Sequence, residues 1–267
     1  MSSSSDSISK TVTVAFLLCL VCSIIVASSV VLLKPIQQKN KTLNLKANIL
    51  TAAGLLPKGA TAAEIETMFE SIEARLVDLD TGEYVEPAAV GKNTALEYDQ
   101  RKAAKDPSAS TVIPAGDDIA SIKRRVKYAK VYLVQEANKL KTIILPVSGY
   151  GLWSTLHGFL ALEADANTVV GLGFYEHAET PGLGGEVDNP RWKAIWPGKK
   201  VYDLDAGSEP QLQLAKGAVD KSRDDAIYRV DGLSGATLTS RGITNLVKYW
   251  MGDNGFKKYL DRLRKGV

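Results

Sequence analysis

The chain has 267 residues, enough for one large domain or two small ones with a substantial hydrophobic core. Apolar residues make up 45% and charged residues 24%, as in an ordinary globular protein. The net charge of +3 is small, and no basic block is interleaved with aromatic residues, which argues against a nucleic-acid-binding protein.

Both cysteines, Cys19 and Cys22, lie in one apolar run near the N-terminus. This location excludes a disulfide framework and a cysteine-ligated metal or iron–sulfur centre from the rest of the chain. A reactive C-x-x-C pair needs a polar, electropositive setting, which the run lacks, so we interpret the cysteines as packing residues. The two histidines, His157 and His177, are too few for a histidine-rich metal site.

The apolar run extends from Thr11 to Leu33 without a charged residue. At about 1.5 Å per residue, a helix of this length crosses a hydrocarbon core of about 30 Å. We therefore predict an N-terminal tail over residues 1–9 and a single transmembrane helix over residues 10–34, in contact with membrane lipid. A secretory signal peptide is the alternative, with Ala27 to Ser29 resembling a cleavage site, but the run continues beyond that site and favours an uncleaved anchor.

Two helices are predicted after the membrane segment. Apolar residues at helical spacing cover Asn40 to Leu56, and Pro57 to Gly59 ends that helix. A second helix is predicted from Thr61 to Leu76, because Thr61 is a suitable N-cap and Glu64 completes a capping box.

Short strands and turns dominate the middle of the chain. Asp80 to Gly82 is predicted as a turn between short strands, and residues 86–118 as a loop-like stretch. Further strands are predicted at 126–135, 141–147, Leu156–Leu162, Val169–His177, Gln211–Val219 and Ala226–Asp231.

The C-terminal part contains two more predicted helices. The first begins near Ser240, with Thr239 or Ser240 as N-cap, and the second covers Phe256 to Arg264. The apolar face of the first is formed by Ile243, Leu246, Val247 and Trp250.

These elements predict an α+β fold, in which a single transmembrane helix precedes a mixed, mostly antiparallel β domain with flanking helices. We assign residues 35–128 to a helical and loop-rich N-terminal part of the soluble region. Residues 129–267 are assigned to the domain that carries the candidate site.

The stretch DGLSGATLTSRG, Asp231 to Gly242, is rich in hydroxyl and small residues. A helix that starts just after Thr237 offers free backbone N–H groups and its dipole to an anion. Gly235 and Ala236 let the backbone approach a ligand closely. These properties fit a site for a phosphate or another anion. A capped helix after a tight turn explains them as well.

Asp231 to Thr237 resembles the flavinylation motif D-G-x-S/T-G-A-T of FMN-binding domains in bacterial respiratory complexes. In that family a flavin transferase attaches FMN through its phosphate to the last threonine. The resemblance therefore implies an FMN-binding domain over residues 129–267, with FMN held by a phosphoester on Thr237.

The resemblance runs from about residue 10 to the C-terminus and is weakest over residues 86–118. The runs SGYGLWSTLHGFLALE and HAETPGLGGE, with the N-terminal anchor, are similar to the C subunit of the Na+-translocating NADH:quinone reductase. The G subunit of the ion-translocating ferredoxin:NAD reductase complex is the related alternative, since it shares the SGAT and ETPGLG-like loops. The GYGLW run and the long segment 35–128 favour the NADH:quinone reductase family.

A flavin ring needs apolar walls and a few polar contacts, and the loops named above supply candidates for both. Tyr150 and Trp153 are expected to contact the ring, or else to pack under their loop. Glu179 and Thr180 are expected to hydrogen-bond the flavin or its ribityl chain, and Leu183 to lie against the ring. The expected contacts around Thr237 itself are Ser234, Gly235, Ala236 and Leu238.

Other notable side chains have simpler interpretations. His177 ends a predicted strand and is either structural or a donor to the cofactor, while His157 is interpreted as structural. Trp192 and Trp196, four residues apart, are predicted to form an aromatic staple over the core.

The resemblance implies an electron-carrying subunit that relays electrons from NADH toward ubiquinone, coupled to Na+ export. Its partners would be the other subunits of the complex and, during maturation, the flavin transferase. No complete active site is expected in this chain alone, and no G-x-G-x-x-G follows a strand to bind a dinucleotide. A membrane-anchored binding module without a redox role is the alternative from another class. A serine hydrolase would need a G-x-S-x-G elbow, which the sequence lacks.

Two signals disagree about membrane orientation. Four lysines follow the apolar run within a short distance, Lys34, Lys39, Lys41 and Lys46, and a charge count would place that side in the cytoplasm. The family resemblance implies a bacterial inner-membrane protein whose soluble domain is periplasmic. Large domains are translocated despite flanking charge, so we follow the resemblance.

Overall fold

The computed structural model describes residues 7–207 and 209–266. The chain forms two compact units that divide between Asn44 and Leu45. Helix α1, Ile8–Ala52, begins in the first unit and ends in the second. This helix is long and apolar enough to cross a membrane, with a mean hydropathy of 2.9 in its most apolar window. The predicted transmembrane helix and the predicted helix from Asn40 form one continuous helix, which includes Pro35.

The end of α1 lies earlier than predicted. Gly54 adopts a positive φ of 68°, and its N–H donates to the Thr51 carbonyl at 3.0 Å. The Leu55 N–H donates to the Leu50 carbonyl at 2.9 Å, which completes a Schellman motif. The glycine two residues after the last helical residue ends the helix, before Pro57 is reached.

The second helix, α2, covers Ala62–Glu70 and is followed by a strand, β1, over Ile72–Asp78. The capping box is confirmed: the Thr61 hydroxyl accepts from the Glu64 N–H, and the Glu64 carboxylate accepts from the Thr61 N–H. The prediction that this helix continues to Leu76 is wrong. Ile72 and Leu76 have helical spacing, but β1 pairs along its whole length with a later strand, and that pairing overrides the local pattern.

The remaining strands follow the chain in order. They are β2 Tyr84–Val85, β3 Ser110–Val112, β4 Arg124–Val126, β5 Tyr128–Glu136, β6 Lys139–Tyr150, β7 Thr155–Glu163, β8 Val169–Glu176, β9 Gln213–Leu214 and β10 Arg229–Val230. The later helices are α3 Gln100–Ala103, α4 Pro190–Lys193, α5 Thr237–Met251 and α6 Lys257–Arg264.

One antiparallel sheet organises the second unit, with strand order β2-β1-β5-β6-β7-β8. The predicted mostly antiparallel α+β fold is confirmed. The strands predicted at Gln211–Val219 and Ala226–Asp231 are much shorter in the structure, where only the two-residue strands β9 and β10 pair in parallel. The stretch 86–118 is mostly loop, but it also contains α3 and β3.

Alternate residues along the sheet face two apolar layers. On one face, α5 contributes Ile243, Leu246 and Val247 to the main core, and each of these residues is fully buried. On the other face, Phe69 of α2 packs edge-on against Tyr132, with ring centroids 6.1 Å apart. The sheet therefore supports a helix layer on each side, and the candidate site lies at the start of α5.

Helix α5 packs on β6 at unusually close range. A Cβ added at Gly149 of β6 would lie 2.8 Å from the Leu246 Cβ, and one added at Gly242 of α5 would lie 2.3 Å from the Tyr150 carbonyl oxygen. The Trp250 indole N–H donates to the Ser148 carbonyl at 2.7 Å. Two glycines and one hydrogen bond thus lock α5 onto the C-terminal half of β6.

Candidate cofactor site

The site is built around the SGAT turn, residues Ser234 to Thr237, which leads into α5. Gly235 has a φ of +70°, a conformation that a side chain disfavours. The Ala236 N–H donates to the Leu233 carbonyl at 3.2 Å, which closes the turn. α5 begins at Thr237, close to the helix start inferred from the motif and three residues before the start near Ser240 that the apolar spacing predicted.

Neither predicted N-cap performs that role. The Ser240 hydroxyl accepts from the Leu233 N–H at 3.0 Å, and the Thr239 hydroxyl donates to the Glu179 carboxylate at 2.6 Å. The residue before the helix is Ala236, and no side chain in the described part of the chain caps α5. Its first N–H groups are therefore open to an external acceptor, and the helix dipole favours an anion there.

The Thr237 side chain is exposed at this open helix end, as are Ser234 and Leu238. The hydroxyl therefore lies within reach of an external reagent, in a turn whose small residues leave space for a phosphate. The geometry fits an anionic group bound at, or attached to, Thr237.

The start of the motif is anchored to a tryptophan pair. The Trp192 indole N–H donates to the Asp231 carbonyl at 2.9 Å, and the Trp192 and Trp196 rings meet edge-on with centroids 5.4 Å apart. Both residues are at least nine-tenths buried, so the predicted aromatic staple is confirmed. The Asp231 carboxylate accepts from the Val219 N–H at 2.8 Å and caps a neighbouring turn.

The ETPGLG loop, Glu179 to Gly184, lies against the SGAT turn. A Cβ at Gly235 would come within 2.9 Å of Leu183 Cδ2, so the Leu183 side chain covers the glycine. His177 orients this loop: one ring nitrogen, Nδ1, accepts from the Glu179 N–H at 3.2 Å, and the other, Nε2, contacts the Asp188 carboxylate at 2.8 Å. Both ring nitrogens of His177 are thus engaged within the protein.

The Glu179 carboxylate joins this loop to the GLWS loop, Gly151 to Ser154. Oε1 accepts backbone N–H groups from Leu152 at 3.1 Å, Trp153 at 3.0 Å and Ser154 at 3.3 Å. Oε2 accepts the Thr239 hydroxyl. Only 5% of Glu179 is exposed. Burial opposes ionisation of this carboxyl, but the Thr239 hydroxyl and the three N–H groups outweigh it, and the pKa of Glu179 is lowered from 4.5.

This lowered pKa predicts a specific pH dependence of stability. Because the folded-state pKa lies below the unfolded value, ionised Glu179 contributes stability that is fully present above pH 4.5 and is lost as pH falls through the folded-state pKa. We expect the wild-type melting temperature to exceed that of Glu179→Gln near neutral pH, and the difference to shrink below pH 4.5. Thermal unfolding of both full-length chains across this range measures it.

The control is Glu163→Gln, which alters an exposed carboxylate at the end of β7. Its melting temperature should track the wild type at each pH. If the melting temperature of the wild type exceeded that of Glu179→Gln by the same amount below pH 4.5 as above it, the lowered pKa of Glu179 would be contradicted.

Exposed apolar side chains lie on the start of α5 and on the two loops that meet it. Trp153 is 64% exposed, and Tyr150, Leu183 and Leu238 are each about 45% exposed. A folded domain rarely leaves several large apolar residues uncovered around one polar group unless a ligand or partner covers them. A flat ring tethered at Thr237 would find apolar walls here, so the residues present fit a flavin.

Known proteins support this interpretation. Residues 151–252 match the family model of the FMN-binding domain. The chain is 52% identical to the C subunit of the Na+-translocating NADH-quinone reductase of Pseudomonas aeruginosa, over 98% of each chain. It is 46% identical to the protein of the same name in Pasteurella multocida, over 98% of this chain and 96% of the relative.

The chain belongs to the family of C subunits of the Na+-translocating NADH-quinone reductase.

The fold of the chain also matches that of a solved C subunit, abbreviated NqrC. The crystal structure of Shewanella oneidensis NqrC superposes with a TM-score of 0.75 at 35% identity, covering 85% of this chain and 99% of that one. The predicted resemblance to the NqrC family is confirmed, and its members are subunits of an oxidoreductase complex.

In this NqrC family member, the structure brings together the GLWS loop, the ETPGLG loop and the SGAT turn, all three of which the sequence indicated. Tyr150, Trp153, Leu183 and Leu238 are exposed and Glu179 is buried, while Thr180 is exposed and its carbonyl accepts from the Leu183 and Gly185 N–H groups. Direct contact of each residue with a flavin stays a prediction.

Two side chains of this site carry roles that the sequence did not predict. Thr239 was interpreted as a cap but is a buried donor to Glu179. The Ser154 hydroxyl, which accepts from the Ala178 N–H at 2.7 Å, ties the GLWS loop to the residue before Glu179. Neither contact leaves a sequence signal, because each joins residues far apart in the chain.

Proposed function

We propose that this chain is the FMN-carrying subunit of an Na+-translocating NADH-quinone reductase, with FMN attached by a phosphoester to the Thr237 hydroxyl. It relays electrons from NADH toward ubiquinone in a reaction that drives Na+ export. The observation that carries the proposal is the exposed Thr237 at the uncapped start of α5, inside a complete D-G-L-S-G-A-T motif.

The residues around Thr237 suit a phosphoester. Ester formation bonds the Thr237 Oγ1 to the flavin-bearing phosphorus of an activated donor, a flavin dinucleotide. It breaks that donor's phosphoanhydride bond, so that a nucleotide monophosphate leaves and the hydroxyl proton is released, and the resulting diester carries one negative charge. The open N–H groups of α5 and the helix dipole stabilise that charge. Gly235 and Ala236 bring no bulky side chain to the turn, and exposed Ser234 offers a further hydroxyl.

The exposed side chains of Tyr150, Trp153, Leu183 and Leu238, which we call the apolar rim, would contact the ring end of the cofactor. A planar ring that covered them would remove apolar area from water. When bound, FMN supplies the electron-accepting and electron-donating chemistry. The chain contributes binding, orientation and electrostatics, so no general acid or base is required of it.

The proposed partners are the other subunits of the reductase complex, a flavin transferase that modifies Thr237 during maturation, and the lipid around α1. The test is co-purification of the tagged chain with the complex, followed by assay of Na+-dependent NADH:quinone activity. We expect that activity, together with a fluorescent band for this chain on a denaturing gel. A chain that purifies without other subunits and gives a dark band would refute the proposal.

Membrane orientation supplies a separate prediction. We propose that α1 crosses a bacterial inner membrane once and that the flavin-bearing domain is periplasmic. Protease added to intact spheroplasts is then expected to digest the domain while a cytoplasmic marker survives. Protection of the domain, under conditions in which an outer-face control is digested, would place it in the cytoplasm instead.

A further inference from the structure

The buried carboxylate of Glu179 forms one connected cluster with the Leu152, Trp153 and Ser154 N–H groups and the Thr239 hydroxyl, which we call the Glu179 clasp. We propose that Glu179 is a positioning residue, which fixes the Trp153 wall beside Thr237 before any flavin is attached. This inference rests on the proposed function of Thr237 and assigns the clasp a role that needs no contact with the cofactor.

The clasp lies beneath the start of α5, while Thr237 lies above it. Residues two apart in a helix are separated by about 200° around its axis, so Thr239 and Thr237 face opposite ways. Accordingly, Thr239 is fully buried and Thr237 is exposed. Glu179 therefore holds the first turn of α5 from its core side and leaves the outer side free for modification.

Three separate segments converge on the same two oxygens. The GLWS loop contributes backbone donors, α5 contributes Thr239, and the ETPGLG loop contributes Glu179 itself. Trp153, one of the three backbone donors, is the most exposed aromatic residue of the rim. Its backbone position is thus set directly by the clasp, while its ring remains available.

The surrounding glycines make room for the carboxylate. A Cβ at Gly151 would lie 2.6 Å from Glu179 Oε1, and a Cβ at Gly184 would lie 2.7 Å from Oε2 and 2.6 Å from the Thr239 hydroxyl oxygen. Both loops therefore approach the carboxylate more closely than any side chain permits. The two glycines therefore allow the backbone N–H groups to reach the Glu179 carboxylate.

Removing the Glu179 carboxylate would leave the N–H groups of the clasp without an acceptor, and this determines how much the clasp contributes to stability. Hydrogen bonds to a charged acceptor are stronger than neutral ones, and buried donors left without an acceptor lose both the bond and their hydration. The GLWS loop has three other hydrogen bonds: the Gly151 N–H donates to the Ser154 carbonyl, the Tyr150 hydroxyl donates to the Trp153 carbonyl at 3.3 Å, and the Ser154 hydroxyl accepts from the Ala178 N–H at 2.7 Å. Weakening the clasp is therefore expected to free this loop first.

The test measures amide hydrogen exchange at Leu152, Trp153 and Ser154 in the full chain, in a flavin-free Thr237→Ala background. We expect Glu179→Gln and Thr239→Val to raise exchange at these amides about tenfold. Thr239→Ser, which keeps the donor hydroxyl, and Glu163→Gln are expected to leave it unchanged. Exchange in Thr239→Val equal to that in Thr239→Ser overturns the proposal, including when Glu179→Gln fails to fold.

A second measurement reports on the order of the Trp153 side chain. In flavin-loaded chains, Thr239→Val is expected to increase native-state flavin fluorescence relative to Thr239→Ser, because a less ordered Trp153 quenches the ring less. Equal fluorescence in the two variants overturns the placement of Trp153. The exchange experiment contains no flavin, so a failure of the proposed attachment at Thr237 would leave its outcome readable.

Discussion

Replacing Thr237 by alanine should abolish covalent flavin while leaving the domain folded. Thr237 is exposed at the first position of α5, where alanine is well tolerated, so the free energy of unfolding should change by no more than about 0.5 kcal/mol. The flavin, by contrast, loses its only proposed attachment atom. A denaturing gel of the variant made with its transferase should show no fluorescent band, whereas the wild-type band should fluoresce.

Two matched variants sharpen this result. Thr180→Ala removes an exposed hydroxyl from the adjacent ETPGLG loop and should retain the fluorescent band, as should Thr237→Ser, which keeps an attachable oxygen. Thermal unfolding establishes that each variant is folded. Fluorescence that persists in Thr237→Ala would show that the attachment site lies elsewhere.

Gly242→Ala should destabilise the domain by about 2–3 kcal/mol. An alanine inside a helix normally stabilises it by about 1 kcal/mol relative to glycine, so the expected sign is reversed. The reason is that the new Cβ would lie 2.3 Å from the Tyr150 carbonyl oxygen and 3.0 Å from the Gly151 Cα. These are backbone atoms, so α5 must move away from β6 to relieve the overlap.

Gly116→Ala is the matched control for that substitution. A Cβ at Gly116 meets nothing within 4 Å, so the same chemical change should alter the unfolding free energy by less than about 0.5 kcal/mol. Chemical denaturation of both variants measures the difference. A Gly242→Ala chain as stable as Gly116→Ala would mean that α5 and β6 are not packed as described.

Elements with strong local signals were predictable from the sequence. The strands predicted at 126–135 and 141–147 form the hairpin of β5 and β6, which turns at Ala137 and Asn138, and both of these residues adopt positive φ. The Thr61–Glu64 capping box was likewise predicted from spacing alone. The prediction for β1 was wrong, because Ile72 and Leu76 fit a helix until a distant partner strand is known.

The candidate site likewise has one part with a local sequence signal and one part without. The SGAT turn has a contiguous signature, so the sequence indicated Thr237 directly. The Glu179 clasp depends on backbone N–H groups of the GLWS loop, which every residue type except proline supplies and which therefore leave no pattern. Glu179 was predicted to belong to the site, but the identity of its partners required the tertiary structure.

The lock between α5 and β6 has a kinetic consequence. Electron transfer through protein slows steeply as the separation of donor and acceptor grows, so a carrier is sensitive to small displacements of its anchor. With Gly149, Gly242 and the Trp250–Ser148 hydrogen bond in place, α5 has little freedom to slide along β6. If the chain carries electrons on a flavin at Thr237, as proposed, variation in the tunnelling distance during turnover would come from movement of the domain as a body. The electron-transfer rate would then report how the domain docks with its proposed partners.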